Sequence, residues 1–384
     1  IGVEIGKRGC IIKDTFFYCV SRRFMKAIIP TGGMGTRMQP MSFYVNKHFL
    51  PVANKPLIFY PIESIAASGI KEVLITYNPG GLDLAKKFLG DGSNWGLKFT
   101  YVVQENPRGG LADIVRVCEK DLKKDLFLLH LGDNIFTEGI KTQVDYFLKN
   151  KPSGMVTMLK YKDNSRLGVP VFDKKGRLIN YLEKPQKPPN QFAIPGLYFF
   201  DNNVFKCFTG KDKITPSERG ELEIRSPYMW LIKHGYKVDV QEYKGKWLDP
   251  GKFDDWIDSN QYLLDRTLEP KIGSKIEEGS DITGRVYIGE GCTIRNSEIR
   301  GPVSIKNNVS VIDAYIGPYT SIDEGCLIEG SRIENCVLMN NVKIYKVKQQ
   351  IDNSLIGPEA SISSTDGKHS CLEFIIGEKA NIKL

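Results

Sequence analysis

The chain has 384 residues, enough for two domains each with its own core. Its 41% hydrophobic and 26% charged residues are those of a soluble globular protein and exclude a disordered or collagen-like chain. Its 53 basic and 45 acidic residues leave a net charge of +8, but the lysines are scattered without interleaved aromatics, so no nucleic-acid partner is expected.

In chain order, residues 1–24 carry charges through their apolar part and lack a small-residue cleavage site, which makes a poor signal peptide. Met25 opens the first convincing strand, so the expectation is that function begins there and that residues 1–24 are an extension with no assigned role. No run of about 18 uninterrupted apolar residues occurs, so no membrane-spanning helix is expected. The eight cysteines show no Cys-x-x-Cys and no zinc spacing, and read as reduced cytosolic thiols packed as small apolar residues. A cytoplasmic protein follows as the expectation.

From residue 25 to 266 strands and helices alternate. MKAIIP, EVLITY, LKFTYVV, DLFLLHLGD and GMVTMLKY have strand length, and PLIFYPIESIAASG, LDLAKKFLG, GLADIVRVCEKDL and KTQVDYFLKN have helical spacing. This predicts an α/β domain, a mostly parallel sheet with helices on both faces and the ligand at the carboxyl ends of the strands. VPVFDKKGRLINYLEK reads as a hairpin turning at Asp173 to Gly176, AIPGLYFFD as a strand and GELEIRSPYMWLIKHG as a helix.

Beyond about residue 270 the period changes. Aliphatic residues recur every five or six positions, at Ile276, Ile282, Ile288, Ile294, Ile299, Ile305, Val311, Ile316, Ile322 and on to Ile362, with glycine or asparagine nearby. Neither a helix nor an ordinary sheet has this period. A hexapeptide β-helix does, because each short strand sends one aliphatic side chain inward before the chain turns a corner.

Several polar stretches fall at strand ends. After MKAIIP the chain reads TGGMGTRMQP, with Lys47 ten residues beyond Arg37. Three glycines in four positions suit a backbone closing on an anion, with Arg37 and Lys47 as countercharge, although a tight strand-to-loop connection accounts for them equally well. Asp133 in LGDNIF and Asp249 in KWLDPGK offer the oxygen ligands that Mg²⁺ takes, or serve as turn and cap residues. Glu183 and Lys184 in YLEKP suit a hydroxyl and a phosphate, or simply end an exposed strand. Gln104 reads a base edge through its amide or caps an exposed strand.

These stretches, with NKHFLPVANKP, LGDGSNWG, VVQENPRGGLA, LGVPVFD, PGLYFFD and RGELEI in the same order, resemble the sugar nucleotidyltransferases over residues 25–384. The resemblance implies a Rossmann-like nucleotidyltransferase catalytic domain at residues 25–266 and a left-handed parallel β-helix at 267–384. It implies that Gly32, Gly33, Gly35, Thr36 and Arg37 cradle the triphosphate of a nucleotide and that Lys47 contacts its phosphates. Gln104, Gly109 and Gly110 would face the base, Gly168, Glu183 and Lys184 would bind a sugar 1-phosphate, and Asp133 and Asp249 would hold Mg²⁺. Arg37, Lys47, Asp133 and Lys184 would carry catalysis.

The implied reaction is transfer of a nucleotidyl group from dTTP to glucose 1-phosphate, giving dTDP-glucose and pyrophosphate, in a homo-oligomer. UTP or another sugar 1-phosphate, or a sugar-nucleotide-binding regulatory homologue without turnover, stay open. The chain departs from the family pattern at Thr31, whose hydroxyl would bear on base preference, at Asn46 before Lys47, at Pro250 and at Asp113, read here as a helix-surface residue. The coils from Ile276 to Ile362 hold no histidine for acetyl transfer, which favours a structural β-helix; His369 gains no role.

Overall fold

The computed structural model describes residues 25–33, 35–43, 45–122 and 124–364. The expected extension at 1–24, Cys10, Cys19, Cys371 and His369 lie outside the described residues. Internal contacts divide the chain into two units, one of Ile58–Trp247 with the chain up to Gly33, the other of Met34–Leu57 with Leu248–Leu384.

The first unit is built on strands β1 (Met25–Pro30), β2 (Glu72–Tyr77), β3 (Lys98–Val103), β4 (Leu126–His130), β5 (Gly154–Lys160), β6 (Gly168–Phe172), β7 (Leu178–Glu183), β8 (Phe192–Ala193), β9 (Leu197–Phe200) and β10 (Val238–Glu242). The main sheet runs β8-β5-β9-β4-β1-β2-β3, with β10 on β5. Strands β4, β1, β2 and β3 are parallel, as is β10 to β5, whereas β9 lies antiparallel between β4 and β5. Every residue of β1 is buried, as a strand covered on both faces requires.

The sheet packs a core that includes Phe127, Phe200, Val156 and Tyr228. The Tyr228 ring stacks on Phe200 at 4.5 Å, and its hydroxyl donates to the Met155 carbonyl oxygen at 3.0 Å. Strands β6 and β7 form the expected hairpin, closed by the Gly176 N–H on the Asp173 carbonyl. The helix expected from Gly220 begins only at Arg225, because Leu222 is used elsewhere. Its N–H donates to the Gly109 carbonyl and its own carbonyl accepts from Ala112 N–H, both in a loop far away in sequence.

The second unit contains a parallel β-helix. Ile288, Ile305, Ile322, Leu338 and Ile356 are stacked in one register. Ile294, Val311, Ile328, Ile344 and Ile362 form a second ladder, and Ile282, Ile299, Ile316, Ile333 and Ile351 a third. One coil takes 17 residues from Ile288 to Ile305, close to three hexapeptides. The corners need left-handed backbone, supplied by Asn296, Asn308, Asp313 and Asn341 among others. The described cysteines, Cys118, Cys207, Cys292, Cys326 and Cys336, are free and buried, and burial pushes the Cys207, Cys326 and Cys336 thiols up to about 12.

The segment Met34–Leu57 joins this unit through a tight hairpin, Pro51–Val52 against Lys55–Pro56. Ala53 and Asn54 both have positive φ, the geometry of a two-residue type I′ turn. Asn54 Nδ2 donates to the Ser304 carbonyl at 2.8 Å and the Ile322 carbonyl at 3.0 Å, on two successive coils. The helix Phe253–Thr267 holds the hairpin as well: Trp256 Nε1 donates to the Pro51 carbonyl, and Asn260 Oδ1 accepts from Ala53 N–H, each at 2.9 Å. Asn260 Nδ2 donates to Tyr319 on the β-helix. Asn260→Ala therefore strands buried groups on both sides, and is expected to cost the second unit about 2–4 kcal/mol, read as a lowered urea midpoint; an unchanged midpoint would show that the hairpin is held by packing alone.

His130, at the end of β4, is fully buried, and burial pushes its pKa down to about 4. The unfolded chain takes up this proton near pH 6.5, while the folded chain resists until near pH 4. The resulting stability is full above pH 6.5 and is lost as the pH falls toward 4. Between pH 7 and pH 5 the wild type should lose about 2 kcal/mol more than His130→Leu, measured by urea unfolding at each pH; parallel losses would contradict a neutral buried imidazole.

Candidate active site

In the first unit the glycine loop follows β1. Thr31 is buried, and both its N–H and its hydroxyl donate to the Thr76 carbonyl on β2, at 2.8 and 2.9 Å. The hydroxyl expected to bear on base preference thus ties the strand end down. A Cβ on Gly32 would lie 2.7 Å from Asn78 Oδ1, and Gly33 has φ +120° with open space where a side chain would be.

Gln104 follows β3 and is 4% exposed, which rules out an exposed strand cap. Its Nε2 donates to Gly110 O at 3.2 Å and to Asp113 Oδ2 at 3.0 Å. Asp113 is only 3% exposed, so its reading as a helix-surface residue is corrected. It lies in the first turn of the helix Leu111–Val117, and Arg116 Nε and Nη2 reach its Oδ1 at 2.9 and 2.6 Å. A Cβ on Gly109 would stand 2.2 Å from Asp113 Oδ2 and one on Gly110 2.5 Å from the Leu222 carbonyl, so both glycines are dictated by close packing.

Asp133 follows β4 and accepts from Asn134 Nδ2 at 2.9 Å. Asn134 is buried, and its Oδ1 accepts from Gly196 N–H at 3.1 Å and Trp247 Nε1 at 2.9 Å. Two N–H donors on the oxygen fix the amide so that its nitrogen must face Asp133. Gly168 pairs with Glu183 across the hairpin, and a Cβ on it would meet the Tyr181 ring at 2.3 Å. Burial raises the Glu183 pKa, opposed by the charge of Lys184, whose Nζ lies 3.7 Å from Glu183 Oε1. Lys184 adopts φ +47°, with its N–H on the Leu167 carbonyl.

In the second unit Gly35 has φ +56° and Thr36 opens a 3-10 turn carrying the exposed Arg37. Asn46 Oδ1 accepts from His48 N–H at 3.0 Å and caps the turn that holds Lys47. Lys47 is 9% exposed, and its Nζ lies 3.9 Å from Asp249 Oδ1. The first unit thus brings Gln104 together with Gly109 and Gly110, and Gly168 with Glu183 and Lys184; the second brings Lys47 to Asp249. Asp133 and Asp249 are carboxylates, the hard oxygen donors that suit Mg²⁺.

Sequence reasoning passed over Asn134, Arg116, Tyr181 and Leu222. For Asn134 a signal existed, an amide directly after the aspartate of LGDNIF; for Leu222 there was none.

A glycine loop at the end of β1 and a carboxylate just after β4 on such a sheet suit an enzyme that handles phosphate esters. Residues 26–266 match the model of the Nucleotidyl transferase family, and the chain belongs to it. It is 34% identical to a glucose-1-phosphate thymidylyltransferase of Streptomyces antibioticus over 94% of this chain and 99% of that one. A low-salt glycan biosynthesis nucleotidyltransferase of Haloferax volcanii is 33% identical over 94% of this chain and 100% of its own. A solved structure from Bacillus anthracis, assigned to the glucose-1-phosphate thymidylyltransferases, shares the fold at a TM-score of 0.58 with 32% identity, covering 65% of this chain and 98% of that one. Among the described residues no helix is long and apolar enough to cross a membrane.

Asn134→Leu would leave two buried N–H groups unpaired and remove the hydrogen bond that Asn134 gives Asp133. It is expected to lower stability by about 2–4 kcal/mol in urea unfolding and to reduce turnover; full activity at unchanged stability would remove Asn134 from the support of the site.

Proposed function

We propose that the chain transfers a thymidylyl group from dTTP to glucose 1-phosphate, giving dTDP-glucose and pyrophosphate, with Mg²⁺. The observation that carries this reading is the likeness, over nearly the whole length of both chains, to relatives named for that reaction. An oxygen of the sugar phosphate attacks the α-phosphorus in line; the new P–O bond forms as the bond to the β-phosphate bridging oxygen breaks, and pyrophosphate leaves. The nucleophile is already ionised at neutral pH, so no general base is required, consistent with a chain of four histidines.

What the residues supply is position and charge. In this reading Gly32, Gly33, Gly35 and Thr36 present backbone N–H groups to the triphosphate, and Arg37 and Lys47 neutralise the charge that develops on the α-phosphate and the leaving group. Gln104 with Gly109 and Gly110 faces the base. Glu183 accepts from sugar hydroxyls, and Gly168 and Lys184 hold the sugar phosphate. Asp133 and Asp249 would hold Mg²⁺, which would supply positive charge to offset that of the phosphates.

We assign residues 25–266 to catalysis and 267–384 to a structural β-helix, in a cytoplasmic homo-oligomer. A rigid stacked surface is suited to packing against further copies.

The first test is pyrophosphate release with Mg²⁺ and glucose 1-phosphate, comparing dTTP with UTP, CTP, ATP and GTP; release with none of them, and with no other sugar 1-phosphate, would overturn the reading. Lys47→Ala and Asp133→Asn are expected to lower kcat by about 10²-fold or more with unchanged circular dichroism. Near-normal turnover in either would refute that residue's assignment.

A further inference from the structure

We propose that Asp113 is a specificity-determining residue, which fixes the amide of Gln104 so that only its oxygen is offered to the nucleobase. The inference rests on the reading above, in which Gln104 faces the base, and concerns which bases that amide can accept.

A primary amide carries a donor end and an acceptor end of nearly equal size, so a free glutamine adapts to either partner. Gln104 is not free in this way. One end lies 3.0 Å from Asp113 Oδ2 and 3.2 Å from the Gly110 carbonyl oxygen. Both are acceptors only, so that end is the nitrogen, whichever way the amide is first drawn. Asp113 cannot turn its carboxylate away, because Arg116 grips Oδ1 through both Nε and Nη2. The side chains of Gln104 and Asp113 are almost fully buried, which leaves the unpaired alternative costly. Glycine at 109 makes room for the carboxylate, since any Cβ there would overlap Asp113 Oδ2.

With Nε2 held on two acceptors, Oε1 is the end left to a ligand. An oxygen acceptor pairs with a ring N–H, which thymine and uracil carry at N3. The N3 of cytosine and the N1 of adenine are themselves acceptors, and would place two lone pairs face to face. Asp113 thereby commits the site to a base with a ring N–H before any nucleotide arrives, which among the pyrimidines means thymine or uracil; guanine, with its N1–H, is not rejected by this device. Thymine and uracil are left undistinguished by this device.

The substitution Asp113→Asn tests it with little change in volume. Arg116 only donates, so it draws the new side-chain oxygen, and the new amide nitrogen faces Gln104. Gln104 then gains by turning its oxygen inward and presenting its nitrogen to the base, against the pull of the Gly110 carbonyl. Asp113→Ser, smaller than the native side chain and free of any clash with Gly109, is the second variant should the asparagine protein not fold.

The measurement is kcat/KM for UTP and CTP, which share one sugar, at saturating glucose 1-phosphate. Calorimetric titration of each nucleotide without the sugar and thermal unfolding accompany it. The wild type is expected to prefer UTP strongly. In Asp113→Asn the UTP-to-CTP ratio should fall by about 10-fold or more, with KM for glucose 1-phosphate and the melting temperature near wild type; in Asp113→Ser it should fall by a smaller factor.

An unchanged ratio in a folded variant overturns the inference, as does a wild type that treats UTP and CTP alike. If the wild type turns over no nucleotide, the proposed function fails on its own, and the titrations decide: UTP-over-CTP binding lost in the variants upholds the role of Asp113, and binding kept in the variants or missing in the wild type ends it.

Discussion

The hydrogen bonds that seat the Pro51–Pro56 hairpin are the constraint on which the second unit depends. Asn54 spans two coils of the β-helix, Asn260 links hairpin and coil through one amide, and Trp256 closes the set. Buried amides satisfied on every side tolerate few alternative arrangements, so they specify the path of the chain as well as stabilising it. Lys47 stands four residues before Pro51, and its reach to Asp249 is made within the same unit as the β-helix. The glycines that begin the same loop belong to the other unit. The repeat domain thus holds the segment on which Lys47 is mounted.

The first unit follows the same logic with different residues. Asn134 is oriented by two N–H donors and so orients Asp133; Asp113 is gripped by Arg116 and so orients Gln104. In each case a buried amide has been denied its freedom to turn over. Of the groups assigned to phosphate, Arg37 and Lys184 are exposed, whereas Lys47 is buried beside Asp249.

Much of this was legible in the sequence. The aliphatic period after residue 270 marked the β-helix because one inward residue per short strand leaves a spacing that neither a helix nor an ordinary strand has. The strand-end positions of the glycine loop, Asp133 and Glu183 were legible because apolar runs and polar punctuation are local. What was not legible depends on contacts far apart in sequence. Asp113 sits in a helical stretch with charged neighbours and looks solvated until Gln104 is seen beneath it. Residues Gly220–Ile224 have the composition of a first helical turn, yet Leu222 spends its backbone groups on the Gly109 loop and the helix starts later. Thr31 looked available to a ligand, and only the neighbouring strand shows that its hydroxyl is already engaged.

The three ladders of the β-helix also govern how such a chain can change length. Ile288, Ile305 and Ile322 share a column because a full circuit separates them, and the same holds for the other two columns. Removing one hexapeptide would shift every later residue to the next face, carrying Asn308 or Asn341 off its left-handed corner and misplacing whatever the affected face supports. Removing or duplicating a whole circuit restores each residue to its own face and alters only the height of the stack. Natural variation in the length of this region should accordingly come in whole circuits, or as loops extruded at corners, and the coils carrying Ser304 and Ile322 should be the last to be lost.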